Sequence, residues 1–117
     1  MRILFLCKGN ICRSPTAEAY LQGRRPWWYV RSAATTNNTK GIGTYRPMVE
    51  SAYKEGIFID PKRSVISVDD IDEEFHEIHD LDAELISDPY ITRNFQMTIS
   101  QIKQYVDRLI TRIEGTA

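Results

Sequence analysis

Cysteine is scarce in this chain. Its 117 residues include two, Cys7 and Cys12, and two thiols five positions apart do not make the disulfide framework that staples small secreted domains. Histidine is as rare, at two. His76 and His79 stand at a helical spacing and could complete a zinc set with Cys7 and Cys12, but four residues between the cysteines is loose for zinc and would leave Arg13 idle, so no metal is expected. Long apolar runs are missing too. The opening run Ile3-Leu4-Phe5-Leu6 is four residues, far short of the roughly 20 that span a bilayer or the about 7–15 of a secretory leader. These absences point to a reducing cytoplasm, with no membrane partner. Lys and Arg are absent from residues 69–88, which hold ten Asp/Glu, whereas residues 1–68 carry eleven Lys/Arg against four acids, for a net charge of −1 overall. The acidic block reads as a solvated face. No basic stripe is interleaved with aromatics, so a nucleic-acid partner is not expected either. The length fits one domain, residues 1–117, large enough to bury a core without staples.

What the chain does have is concentrated in Cys7-Lys8-Gly9-Asn10-Ile11-Cys12-Arg13-Ser14. The loop follows a short unbroken apolar run, the pattern of a strand buried on both faces. It precedes Pro15-Thr16-Ala17-Glu18, a helix start with Ser14 as N-cap, Pro15 at the first position and Glu18 toward the positive end of the dipole. Strand, tight loop and helix together aim backbone N–H groups at one point and make an anion site. Cys7 stands where a thiolate is favoured over a thiol. Arg13 offers a planar fork that matches two phosphate oxygens. Gly9 permits close approach or positive φ, and Asn10 tolerates the left-handed region. Ser14 can donate to the sulfur. A thiolate beneath a bound phosphate is a phosphoryl-transfer nucleophile.

A cysteine, five residues, then Arg-Ser is weak evidence alone. The longer run Leu6–Ala19, Leu-Cys-Lys-Gly-Asn-Ile-Cys-Arg-Ser-Pro-Thr-Ala-Glu-Ala, resembles the signature of the low-molecular-weight protein tyrosine phosphatases. Ser32-Ala33-Ala34-Thr35 and Asp88-Pro89-Tyr90 agree with it. The resemblance implies a phosphatase that cleaves phosphotyrosine or other aryl phosphomonoesters through a phosphocysteine on Cys7, with no cofactor. Residues Lys8 to Ser14 would hold the phosphate and Arg13 would clamp its oxygens. Asp88 would protonate the leaving group, and Tyr90 would line the cleft. Ser32 would bond Asn10 and stiffen the loop; read from the sequence alone, it is equally a serine that ends a strand. The family's cleft-wall aromatic falls at Asn38 here, with Tyr45 nearby as a substitute. Rival readings are a weak or inactive phosphotyrosine- or oxyanion-binding module and an arsenate reductase, although thioredoxin-coupled reductases need two further cysteines that are absent after Cys12.

The fold class this implies is α/β, a doubly wound three-layer arrangement around a small parallel sheet. Strands are expected at residues 2–7, at Trp27–Arg31 and at Ala83–Ser87, the last lying beside the first. Helices are expected at residues 15–23, at Pro47–Gly56, at Val68–His79 from the spacing of Val68, Ile71, Phe75 and Ile78, and along the stripe from Phe95 to Ile113. Relatives carry a further strand, helix and loop before Asp-Pro-Tyr. His76–Asp82 looks too polar to supply that strand, leaving three clear strands and a fourth lost or replaced.

Overall fold

The strand that comes first in the sequence lies in the middle of the sheet. In the computed structural model, which describes residues 1–115, β1 (Arg2–Cys7) runs between β2 (Tyr29–Ala34) and β3 (Glu77–Asp80) and is parallel to both. Side chains alternate across a strand, so the opening apolar run supplies both faces. Ile3 and Phe5 enter the main core with Ala17 and Leu21 of α1 (Arg13–Arg24), Met48 and Ala52 of α2 (Arg46–Lys54), and Ile99, Ile102, Val106, Leu109 and Ile110 of α4 (Phe95–Glu114). Leu4 and Leu6 point the other way, against Ala33, Ile66, Val68, Ile71 and Phe75. The α/β class stands, with one outer layer of helices and the opposite layer built from turns and extended chain. Among the described residues no helix is long and apolar enough to cross a membrane.

α4 forms where its apolar stripe predicts. The Asn94 side chain accepts a bond from Met97 N at its start, and Gly115 closes it at φ 64°, the left-handed cap that glycine favours. β2 begins two residues later than expected, because Trp28 N bonds Arg25 O and that turn takes up Pro26 to Trp28. Trp28 is buried while Trp27 is 74% exposed.

The acidic stretch departs most from expectation. Val68–His79 is not a helix: Val68–Asp70 forms one 3-10 turn, and Glu77–Asp80 becomes the edge strand β3. A helix here would place Asp69 over Glu73, Asp70 over Glu74 and Glu73 over Glu77, like-charge i,i+4 pairs that oppose helix formation. In extended chain three of these acids find cations instead, Asp70 pairing with Lys40. Glu73 takes Arg2 and Arg31 together with the Tyr29 hydroxyl. Glu77 takes Arg112. His76 is therefore no surface partner of His79: its Nδ1 accepts from Arg2 N, whereas His79 sits between Tyr105 and Glu77. The segment whose polarity argues against a strand is the strand, since an edge strand half-covered by α4 can keep polar side chains if they are paired. Ala83–Ser87, expected as that strand, is a turn in which Glu84 N bonds Asp80 O and Ile86 N bonds Leu81 O. Leu81 and Ile86 bury from it into the main core.

Candidate active site

Cys7 ends the central strand, and the loop beyond it takes its shape from the partners of its carbonyls. Lys8 O accepts from the Thr36 hydroxyl at 3.0 Å, Gly9 O from the Thr39 hydroxyl at 2.6 Å, and Asn10 O from Arg63 Nη1 at 3.1 Å. Ile11 O accepts from Tyr45 N at 2.9 Å, and Cys12 O from the Thr16 hydroxyl at 2.7 Å. Five successive carbonyls are thus held on the outside of the loop. No peptide bond among the described residues is cis, and in a trans peptide the C=O and the next N–H point oppositely. The N–H groups of residues 9–13 are therefore turned inward together, as the backbone of an anion cradle must be. The left-handed residue that makes this turn is Asn10 at φ 53°. Gly9 does not take a positive φ, and a Cβ there would meet its neighbours at ordinary contact distances.

Ser14 does not cap α1. The position before the helix is Cys12, without a side-chain cap bond, and Ser14 is turned to the sulfur instead. Its N–H lies 3.4 Å from Cys7 Sγ and its hydroxyl 3.0 Å from it. Asn10 Nδ2 donates to Ser14 Oγ at 2.6 Å, so the serine's own proton is available to Cys7.

Arg13 is 3% exposed. Its Nη1 donates to Asp82 Oδ1 at 2.8 Å and to Ile86 O at 3.0 Å, while Nη2 stands 3.5 Å from Asp88 Oδ2. The other Asp88 oxygen accepts from Tyr90 N at 3.0 Å and caps α3 (Pro89–Thr92). Asp88 therefore both starts a helix and faces the loop. A cleft of about 300 Å³ opens over Cys7 and Arg13, with Asp88, Tyr90, Asn38 and Ile42 among its walls. Tyr90 is packed edge-on to Tyr45 at 5.1 Å, and Tyr45 stacks behind it on Phe95. Ser32 does not reach Asn10: its hydroxyl donates to Glu18 Oε1 at 2.6 Å. Glu18, half-buried between α1 and β2, is raised above the usual carboxyl range by desolvation, against the pull of Ser32, Arg63 and Arg31. A larger hollow of about 660 Å³ lies behind α1, beside Glu18 and Arg63, but the loop N–H groups do not face it.

A family model for low molecular weight phosphotyrosine protein phosphatase matches residues 2–78, well over half the chain and all of the loop. The chain belongs to this family. No curated protein matches it. Among solved structures it is similar to a low molecular weight protein tyrosine phosphatase from Streptococcus pyogenes, with 19% identity, TM-score 0.83, and 96% of this chain and 93% of that one covered. It is also similar to a protein tyrosine phosphatase from Entamoeba histolytica with Hepes in its active site, with 21% identity, TM-score 0.81, and coverage of 98% and 97%. A third is a drosophila arginine phosphatase, with 23% identity, TM-score 0.79, and coverage of 97% and 98%. At these identities the likeness is one of fold.

The family match stops inside β3. Asp82 and Asp88 lie beyond it, and it is the turn 81–87 that returns them to the loop. Within this phosphatase, Asp82, Arg63, Glu18 and Thr39 were not legible in the sequence as parts of the site. Arg63 and Thr39 sit in polar stretches with no motif around them, and Asp82 was one acid among ten.

Both cysteines are free and buried. Burial, then the proximity of Cys7 and Asp88, pushes the Cys12 thiol up to about 12 against the opposing Arg13 and Arg93. The thiolate is the attacking species, so each pH unit below that value leaves about tenfold less of it. Mild peroxide is expected to turn Cys7 into a sulfenic acid, which Cys12 would capture by forming the S–S bond and releasing water. The yield of that disulfide is expected to rise steeply from about pH 7 to about pH 9, with Cys7 sulfinic acid dominating at the lower value. Mass spectrometry of the oxidised protein measures both. No bridge at the higher pH would remove Cys12 from this role, and a bridge formed in equal yield at both would show that the raised Cys12 thiol does not limit the capture.

Proposed function

We propose that this single domain hydrolyses aryl phosphomonoesters, foremost phosphotyrosine in proteins, by way of a phosphocysteine. The observation that carries the reading is the set of five outward carbonyls, which turns the N–H groups of residues 9–13 on the space above Cys7.

In this reading Cys7 Sγ attacks phosphorus and the bond to the ester oxygen breaks. The loop N–H groups and the Arg13 fork hold the equatorial oxygens as charge builds there. Asp88, as the acid, gives its proton to the departing phenolate. As the carboxylate it then takes a proton from water, whose oxygen attacks phosphorus, releases Sγ and yields inorganic phosphate. Ser14 stabilises the sulfur when it leaves. The ring of the substrate lies along Tyr90 and Ile42, opposite a polar wall at Asn38. A nucleophilic thiol without a disulfide framework suits the reducing cytoplasm.

The purified chain is expected to hydrolyse p-nitrophenyl phosphate and a phosphotyrosyl peptide, releasing phosphate that a colorimetric assay detects. Phosphate binding without hydrolysis of either would instead establish an oxyanion-binding module.

A further inference from the structure

Arg63 makes no contact with the space where phosphate would sit, yet one guanidinium occupies both acceptors of the residue on which the loop turns. Nη1 donates to Asn10 O at 3.1 Å and to the Thr44 hydroxyl at 2.8 Å, and Nη2 donates to Asn10 Oδ1 and lies 3.5 Å from Ser32 Oγ. Its own backbone is fixed from two sides. Arg63 N bonds Asp60 O, and two residues on, Val65 N bonds Ile42 O while Gly41 N bonds Val65 O.

We propose that Arg63 is a positioning residue that sets the direction of the hydrogen-bond chain ending on the nucleophile. This rests on the phosphatase reading of the loop. An amide side chain can face either way, and its neighbours decide which. Arginine has donors and no acceptor, so Arg63 requires Asn10 to turn Oδ1 toward it. Nδ2 must then face Ser14 and donate at 2.6 Å. Ser14 Oγ, already accepting from Asn10, sends its proton on to Cys7 Sγ at 3.0 Å. With the amide reversed, Oδ1 would take the serine proton, and the sulfur would lose its hydroxyl donor and keep only the Ser14 N–H. The same guanidinium holds Asn10 O outward, which keeps the next N–H turned into the cradle. A lysine at this position would bring the charge without a planar fork able to meet both Asn10 oxygens. Glu18, Cys7 and Asp60 are the charged or ionisable groups acting on Arg63, and each favours its charged form against burial.

The hollow of about 660 Å³ beside Arg63, lined also by Glu18, Ile57, Phe58 and Asp60, makes a specific test available. Truncating Arg63 to alanine leaves its site open to a small cation added in solution. Arg63→Ala in the full chain is expected to weaken inorganic phosphate binding, measured by calorimetry, and to lower kcat/KM for p-nitrophenyl phosphate, each by about 100-fold. Methylguanidinium should restore at least about tenfold of both, and methylammonium at equal ionic strength should not, because only the former supplies the fork. Arg63→Lys, whose melting temperature should stay near that of the wild type, should lose about tenfold in both. The proposal is overturned if folded Arg63→Ala binds phosphate within about twofold of the wild type, or if its loss is indifferent to methylguanidinium. Should Arg63→Ala fail to fold, a wild-type level of binding and turnover in Arg63→Lys overturns it and the tenfold loss supports it. Phosphate binding is measured whether or not the wild type turns over. An inactive wild type would thus sink the phosphatase reading and leave this one decided by binding, whereas a wild type that binds no phosphate removes both.

Discussion

Cys7→Ser is expected to leave no measurable turnover while phosphate and vanadate still bind. Removing the nucleophile of a covalent mechanism costs on the order of 10⁶-fold. The reason lies in what surrounds the sulfur. Its partners are the N–H and hydroxyl of Ser14, groups suited to stabilising an anion that already exists. Neither is a base able to take a proton from an alcohol, whose acidity is far below a thiol's, so a serine oxygen here stays protonated and inert. The cradle is unaffected, because its N–H groups are aimed by the carbonyl bonds of residues 8–12 and not by the side chain of residue 7. Calorimetry with vanadate beside a turnover assay checks both halves. Residual hydrolysis in a rigorously purified Cys7→Ser sample would remove the phosphocysteine from the mechanism.

Asp88→Asn is expected to cost about 10²–10⁴-fold with phosphotyrosine, the range of a positioned general acid, and much less with p-nitrophenyl phosphate. A phenolate of high pKa leaves slowly without a proton, whereas p-nitrophenolate scarcely needs one. The substitution is clean because of how the two oxygens are used. Oδ1 accepts from Tyr90 N and starts α3, and asparagine can cap a helix as well as aspartate does. Oδ2, beside Arg13 at 3.5 Å, is replaced by an amide that cannot deliver a proton. A role confined to capping therefore predicts little loss with any substrate. The measurement is kcat/KM for a series of aryl phosphates plotted against leaving-group pKa. A steeper line for the variant supports the acid, and parallel lines exclude it.

The first 24 residues were legible because local signals agree there. An unbroken apolar run makes a central strand, Asn10 tolerates the left-handed turn, and Pro15 fits the start of a helix. α4 was legible for a similar reason, since its stripe of apolar residues buries against one partner surface. The stretch from Val68 to Ser87 misled because its apolar residues do fall at helical spacing, while the forces that decide its shape are not local. Glu73 is held by Arg2 and Arg31, and β3 by its pairing with β1. The same limit applies to the site. Cys7, Arg13 and Ser14 announce themselves within eight residues. Arg63 and Asp82 matter only because the chain returns to the loop some 50 and 70 residues later, as their bonds to Asn10 and Arg13 record.

That return has a consequence for how the chain is made. β1 leaves the ribosome before either of its partner strands, and Glu77–Asp80 emerges about 74 residues after it, as the pairing of Ile3 with Glu77 shows. At about 5–20 residues per second the interval is roughly 4–15 s. Throughout it, Ile3-Leu4-Phe5-Leu6 has at least one edge unpaired, both until β2 arrives, and an exposed strand edge recruits other chains. A chain halted before Glu77–Asp80 has emerged would therefore display the loop residues on a sheet that is still open, which makes crowded translation, more than the finished fold, the point at which this chain is vulnerable.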